Sequence, residues 1–303
     1  MDILPSIFVE NILPVFVVVG LGYLLDRKFN LDAKTISRTS LYVLSPCLIF
    51  TSLVRSSVSG DEVGRIFLFE VAMTAILLAI TRGVARLARL SRQQESAFLL
   101  SVLFINAGNY GLSVNLFAFG EEAMARAIIF FAGSTVLVNT LGVFLASRGQ
   151  ANVKRALLNV FKVPMVYAVG LAFIARELPW SVTDVWWFRG LDTVGRAAVP
   201  VMLLLLGIQL ARNSVGRDWK RVSAATFLRL GLAPLLGLLL AAVIGLTGDT
   251  RRASVLEASM PTAVMSVVLA LEFDVLPEFV TGVVFLSTVL SPLSLTLLIA
   301  LLR

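Results

Sequence analysis

Between Phe104 and Gly120 the chain reads FINAGNYGLSVNLFAFG. Asn106, Asn109 and Asn115 stand there with Gly108 and Gly111, where about 20 uninterrupted apolar residues would make a better membrane span. An amide left unpaired in hydrocarbon is costly. Facing a cavity, the same amide donates to a carboxylate and accepts from a backbone N–H without a full charge. Glycine lets the backbone unwind, and a half-helix starting after the break offers a positive N-terminal end. These residue types at this spacing suit a neutral cradle for an anion. Asn106 is the first candidate, its amide donating to the ligand while its oxygen holds crossing backbone.

A second interruption lies in LEASMPTAVMSVVLALEF, at Pro261 and Thr262. Proline removes a donor and stops its helix. Glu257, one turn earlier, is the candidate for carrying a coupling proton, since the chain has no histidine. Asn139, in TVLVNTLGVF, either lines the cavity or bonds a neighbouring helix. Ser45 and Thr51 flank Pro46 and either face the site or bond their own helix backbone. Asn115 has the competing role of holding helices together. Glu10, Glu70, Asp192, Glu272 and Arg229 are ionisable groups within or near spans, where function is the first expectation, although those near an end can snorkel. Gln209 is expected to be solvated at the end of its span. The single cysteine, Cys47, allows no internal disulfide, and without histidine there is no Cys/His metal set. No nucleophile–base pair or phosphate loop is visible, so an enzyme is not expected, nor is any cofactor or metal.

The elements that must position these residues are membrane helices. Of 303 residues, 58% are hydrophobic and 15% charged, with a mean hydropathy of +0.90. Most segments are apolar all round, which excludes a soluble bundle, and none alternates like a barrel strand. Ten apolar segments of spanning length, about 20 residues each, predict an all-α polytopic membrane protein. The N-terminus lacks a basic region and a cleavage site, so the first span is expected to be retained.

Lys and Arg alternate by link. Arg27, Lys28, Lys34 and Arg38 follow span one; Arg82, Arg86, Arg89 and Arg92 follow span three. Arg148, Lys154, Arg155 and Lys162 follow span five; Arg212, Arg217, Lys220 and Arg221 follow span seven. Basic links face the cytoplasm, which predicts both termini outside the cell membrane and accounts for the +7 net charge without nucleic acid. Five spans on each side of the central link predict an inverted repeat, residues 1–147 and 148–303, with the breaks of spans four and nine opposite each other near the midplane.

At these breaks the sequence is similar to the auxin efflux carrier family, which includes the plant PIN-formed carriers and many bacterial permeases. The family pattern Asn-x-Gly-x-x-Gly-x-Pro matches Asn106-Ala107-Gly108-Asn109-Tyr110-Gly111-Leu112-Ser113, with serine in place of the last proline. The Pro-led stretch ending in Ala-x-Glu-aromatic matches Pro261 through Ala270-Leu271-Glu272-Phe273. AAVPVMLLLLGIQL and the stretch Val284 to Leu295 resemble further family segments.

The resemblance implies a ten-helix, five-plus-five inverted repeat with crossed, broken helices four and nine, resembling sodium/proton antiporters and bile-acid symporters. Helices 1, 2, 6 and 7 would be a scaffold and dimer contact; helices 3–5 and 8–10 would move against it like an elevator. It implies a carrier of a small organic anion, either an auxin-like aromatic carboxylate or a dicarboxylate such as malate or malonate. Asn106, Gly108, Asn109, Tyr110, Gly111, Pro261, Thr262, Asn139, Ser45 and Thr51 are the candidate binding residues. Alternatives are a sodium- or proton-coupled symporter of another solute class, and a non-transporting receptor or channel. Ser113 restores a backbone N–H where the family has none, which loosens the local geometry.

Overall fold

The computed structural model describes residues 3–147, 163–212 and 218–303. Arg148, Lys154, Arg155 and Lys162 of the central link, and Arg217, lie outside the described residues. In chain order the main helices are α1 (Leu4–Phe29), α2 (Ala33–Arg55), α3 (Gly60–Leu87), α4 (Arg92–Leu103), α5 (Leu112–Phe119), α6 (Glu121–Ala146), α7 (Pro164–Arg176), α8 (Trp186–Arg212), α9 (Trp219–Ile244), α10 (Gly248–Ala258), α11 (Val264–Glu272) and α12 (Pro277–Leu302). Seven of them (α1, α2, α3, α6, α8, α9 and α12) are long and apolar enough to cross a membrane, and α7 is a shorter apolar helix. The segments read as spans four and nine are each two short helices, α4 with α5 and α10 with α11. Among the described residues there is no strand, only one isolated bridge.

Local chemistry sets the helix ends. Ser59 and Glu62 cap α3 reciprocally, Ser59 N donating to Glu62 Oε2 (2.9 Å) and Glu62 N to Ser59 Oγ (3.2 Å). Ser91 and Gln94 do the same for α4. Asn30, left-handed at φ 48°, closes α1.

Within the long helices, π turns occur at Phe8–Ile12, Ser40–Leu44, Val138–Gly142 and Leu228–Leu232. Pro14, Pro46 and Pro234 follow the first, second and last of these, and no proline follows Val138–Gly142. A proline ring clashes with the carbonyl four residues earlier. Those residues are Glu10, Tyr42 and Leu230, the middle residue of each of the three turns. The widened turn relieves the clash and keeps the helix in register. Pro292 sits inside α12 without such a turn.

α1 runs along α8, and α2 packs on α7 and α8. The α1–α8 contact depends on Gly22 and Gly207: a Cβ on either would overlap the facing backbone, at Leu204 and Val19 respectively. A bidentate pair, Arg212 with Asp26 (2.6 and 3.0 Å), ties the ends of the same helices. Outward faces are apolar at helical spacing, as with Leu235, Leu239 and Val243 on α9, all exposed. This is the pattern of helices solvated by lipid rather than by water.

Candidate functional site

The two breaks meet. After α4 the chain is extended at Phe104 (φ −100°, ψ 129°), and before α11 it is extended at Ala263 (φ −66°, ψ 138°). They cross antiparallel at Ile105 and Thr262. Asn106 N donates to Pro261 O and Ala263 N to Phe104 O, both at 2.9 Å. Each unwound strand thus satisfies the backbone groups its helix has lost, which is the condition for irregular backbone at membrane depth. Gly111 N then donates to Asn106 O (3.0 Å), closing the π turn Ala107–Gly111 that starts α5.

The C-terminal ends of the first half-helices are capped by side chains from elsewhere in the chain. Thr262 Oγ1 donates to Ser101 O (2.7 Å) and Ser266 Oγ to Leu100 O (2.9 Å). Arg229, from the π turn of α9 and only 1% exposed, donates through Nη1 to Val102 O (2.8 Å) and through Nη2 to Ala258 O. One guanidinium therefore closes both α4 and α10. Each helix C-terminus carries roughly half a negative charge, so the two ends together offset the arginine's full positive one.

The N-terminal ends are different. Asn106 is 6% exposed, and its Nδ2 has no partner. Its backbone N–H, not its side-chain oxygen, makes its bond at the crossing, while its C=O accepts from Gly111 N in the π turn. Asn109 is half-buried beside it. Gly108 faces Phe131, whose ring lies 2.7 Å from where a Cβ would stand. Tyr110 is fully buried, its hydroxyl 3.0 Å from Ser291 Oγ on α12 and its ring edge-on to Phe16. Gly111 lies against the Glu257 carboxylate.

Across the gap, Pro261 and Thr262 are tied into the bridge as described, and Thr262 N donates to Ser287 Oγ (3.2 Å). Ser113 Oγ reaches back to Asn109 O (3.4 Å). Glu257 is 0% exposed. Its Oε1 accepts from Asn115 Nδ2 (3.0 Å), which also donates to Gly111 O (3.0 Å), and its Oε2 has no partner.

The remaining candidates lie apart from this crossing. Asn139 Nδ2 donates to Thr135 O of its own helix (2.8 Å). Ser45 is buried in α2, and Thr51 Oγ1 donates to Cys47 O (2.8 Å). Thr51 lines a cavity of about 390 Å³ between α1, α2, α5, α6 and α8, together with Ser52, Arg55, Asp192 and Arg196. Asp192 bridges the two arginines, at 2.5 Å from Arg55 and 3.0 Å from Arg196. Asn106, Asn109, Pro261 and Thr262 do not line this cavity. Beside it, buried Arg126 pairs with Glu62 (2.8 Å) and Glu122 (2.6 Å), and Ser57 Oγ donates to Glu122 (2.8 Å).

Among the remaining polar groups, one departs from its expected place. Gln209 is half-buried with its Oε1 unpartnered, not solvated, because α8 packs along α1 at that level. Glu10 and Glu272 are exposed. Arg229, one ionisable group among several in the sequence, donates to the last turns of both α4 and α10. Its signal was a lone arginine in the otherwise apolar run FLRLGLAPLLGLLL.

A family model described as "Membrane transport protein" matches residues 7–299. An "Uncharacterized transporter" of Methanothermobacter thermautotrophicus is 31% identical, over 95% of this chain and 96% of its own length. A Rhizobium meliloti protein named "Putative malonate transporter" is 25% identical, over 96% and 95%. An "Uncharacterized transporter" of Escherichia coli is 23% identical, over 89% and 90%. The chain belongs to this membrane transport family, the auxin efflux carrier-like family, and is a membrane protein with transmembrane helices.

Proposed function

We propose that this family member is a secondary carrier of a small organic anion, with a carboxylate bound at the crossing of the two broken segments. The supporting observation is the buried Nδ2 of Asn106, left without a partner beside the start of α5. A buried donor without an acceptor costs about 1–3 kcal/mol. A carboxylate oxygen there would recover that cost and meet the positive ends of α5 and α11. The reading gives Asn106 and Asn109 to the ligand, and Gly108, Tyr110, Gly111, Pro261 and Thr262 to the shape of the pocket. The malonate named for the Rhizobium meliloti relative favours a dicarboxylate over an aromatic acid.

In this reading the chain crosses the cytoplasmic membrane ten times as a five-plus-five inverted repeat, with both termini outside. α1, α2, α7 and α8 form a scaffold through which copies pair. The remaining helices slide against it as an elevator. The cavity lined by Thr51, Arg55, Asp192 and Arg196, with Glu121 and Glu122, lies along that boundary and serves as the vestibule. Glu257 is the group that would couple movement to a proton.

Uptake by proteoliposomes tests this reading, using labelled malonate, malate and indole-3-acetate with imposed proton or sodium gradients. Saturable uptake of one carboxylate, competed by its analogues, is expected. Absence of carboxylate uptake and binding by purified, monodisperse protein would overturn the anion assignment.

A further inference from the structure

Apart from the main core, a second apolar cluster joins α4, α9 and α12 through Phe98, Val222 and Val283. Against it, at the ends of these helices, lies a cavity of about 380 Å³. Leu90, Phe98, Leu276, Pro277 and Phe279 give the cavity apolar walls, and Gln94, Asp218, Arg221 and Glu278 stand among them. The Phe98 and Phe279 rings stack with centroids 6.4 Å apart.

Two tight turns shape this cavity. α3 is followed by Arg89, left-handed at φ 50°, and Leu90 N then donates to Ala85 O (3.0 Å). The turn places Leu90 in the cavity wall while Arg89 and Arg92 stay exposed. Between α11 and α12, Asp274 and Leu276 are both left-handed, at φ 50° and 45°. Gln93 Nε2 fastens that turn to α4 by donating to Asp274 O (2.7 Å). A left-handed leucine is strained, and strain of this kind gathers where ligands are held.

The cavity lies at the level of lipid headgroups. Trp219, the first residue of α9, is exposed there, as tryptophans at a membrane surface are. Leu87, beside Arg86, is 87% exposed, which suits the boundary between headgroups and acyl chains.

Charges of both signs surround the cavity, and several are unspent. Arg221 pairs with Asp218 (3.1 Å) and Arg82 with Glu95 (3.6 Å). Among the described residues Arg86, Arg89 and Arg92, around the α3–α4 turn, have no ion-pair partner, nor have Asp274 and Glu278, around the α11–α12 turn. Gln94 uses its Oε1 and backbone N to cap α4 with Ser91, which leaves its Nε2 to donate elsewhere. A purely anionic head would suit the arginines and meet two carboxylates. A head carrying both a phosphate and a primary ammonium satisfies both turns.

We propose that this cavity binds a phospholipid with an ethanolamine head, its acyl chain lying against Phe98, Leu276 and Phe279. Arg89, Arg92 and Gln94 take the phosphate, and Glu278 takes the ammonium. The site stands whether or not the protein carries an organic anion.

Purified protein, stripped of lipid in a neutral detergent, tests the site with three lipids of identical acyl chains. A choline head has no N–H to donate, and a glycerol head carries no cation. Native mass spectrometry should show the ethanolamine lipid bound at least about threefold more tightly than either. A photoactivatable ethanolamine lipid should crosslink to peptides holding Leu90 to Phe98 or Leu276 to Phe279. Glu278→Gln should bring the ethanolamine lipid down to the affinity of the choline lipid. Arg89→Gln with Arg92→Gln should weaken all three lipids, and Arg38→Gln, exposed at another link, should weaken none. All these side chains are exposed, so Tm should stay near wild type.

Equal binding of the three lipids, or tightest binding of either other one, would overturn the ethanolamine assignment. An ethanolamine preference undiminished in Glu278→Gln would do the same. Crosslinks spread over the lipid-facing helices, without enrichment at these two peptides, would overturn the site itself.

Discussion

The C-terminal and N-terminal ends at the crossing lie side by side and are treated in opposite ways. The ends of α4 and α10 receive Arg229, Thr262 and Ser266, so the carbonyls of Leu100, Ser101, Val102 and Ala258 are all bonded. The start of α5 receives no side-chain cap, and Asn106 Nδ2 beside it is buried and unpartnered. The start of α11 is also without a side-chain cap. The carbonyls of the capped ends are satisfied within the protein, although Arg229 Nε beside them is itself buried without a partner. The uncapped ends are positive, and in the proposed reading they receive the anion. Unpartnered buried atoms also occur away from the crossing, at Ser40 and Thr81, so Asn106 is singled out by the uncapped helix start beside it.

Removing the arginine breaks this contrast from the capped side, and the largest effect is expected there. Arg229→Met leaves two buried carbonyls unpaired, at about 1–3 kcal/mol each, and removes the charge opposing two helix ends. The expected outcome is a large drop in Tm, with transport lost because the protein no longer holds the crossing. Arg229→Lys should recover only part, since one ammonium lacks the planar fork that spans two carbonyls. A Tm of Arg229→Met equal to wild type would mean that the two ends are not held by this residue.

Asn106→Ala sharpens the contrast from the uncapped side. A lost hydrogen bond to a charged group costs about 1.5–3 kcal/mol, more than tenfold in affinity. Carboxylate affinity should fall by that much while Tm stays near wild type or rises, because the variant deletes an unsatisfied donor. Titration of the purified variant measures the first and thermal unfolding the second. Intact affinity with lowered Tm would make Asn106 a brace and not a ligand. Asn115→Ala should invert the pattern, with a smaller affinity loss and a clear loss of stability, because its amide is spent on Gly111 O and Glu257.

The breaks themselves were legible because asparagine, glycine and proline carry backbone meaning in isolation. Asn106 and Pro261 stand where the chain leaves the helix, whereas Gly108 and Gly111 lie in the helical π turn that follows, where the missing Cβ makes room for Phe131 and for the Glu257 carboxylate. Three π turns precede Pro14, Pro46 and Pro234, but Val138–Gly142 has no such proline and Pro292 no such turn, so proline alone does not locate them. The caps were not legible. Arg229 meets Val102 across 127 positions, Thr262 meets Ser101 across 161, and Ser266 meets Leu100 across 166. No local period records such a meeting. Asn139 shows the converse: a conspicuous intramembrane amide that bonds its own helix, as serine, threonine and asparagine side chains commonly do.

Thr262→Val tests the capped side at a smaller scale. It keeps the shape and removes the hydroxyl that donates to Ser101 O, while the Thr262 backbone bond to Ser287 Oγ remains available. A loss of about 0.5–1.5 kcal/mol in stability is expected, read as a modest fall in Tm. Carboxylate affinity should change far less than in Asn106→Ala. A tenfold loss of affinity at unchanged Tm would move Thr262 from the frame to the ligand.

The smallest effect is expected at Thr51, where the contrast meets the vestibule. Thr51 lines the cavity with Arg55 and Arg196, but its hydroxyl is occupied by the Cys47 carbonyl (2.8 Å). A hydroxyl bonded to its own helix has little left to offer a passing anion. Its removal also leaves a helix carbonyl that keeps its ordinary backbone partner. Thr51→Val should therefore alter stability by no more than about 0.5 kcal/mol and affinity by less than about threefold. If affinity instead falls as far as in Asn106→Ala, the carboxylate rests in the vestibule among Thr51, Arg55 and Arg196. The unpartnered amide at the crossing would then belong to a different step of the cycle.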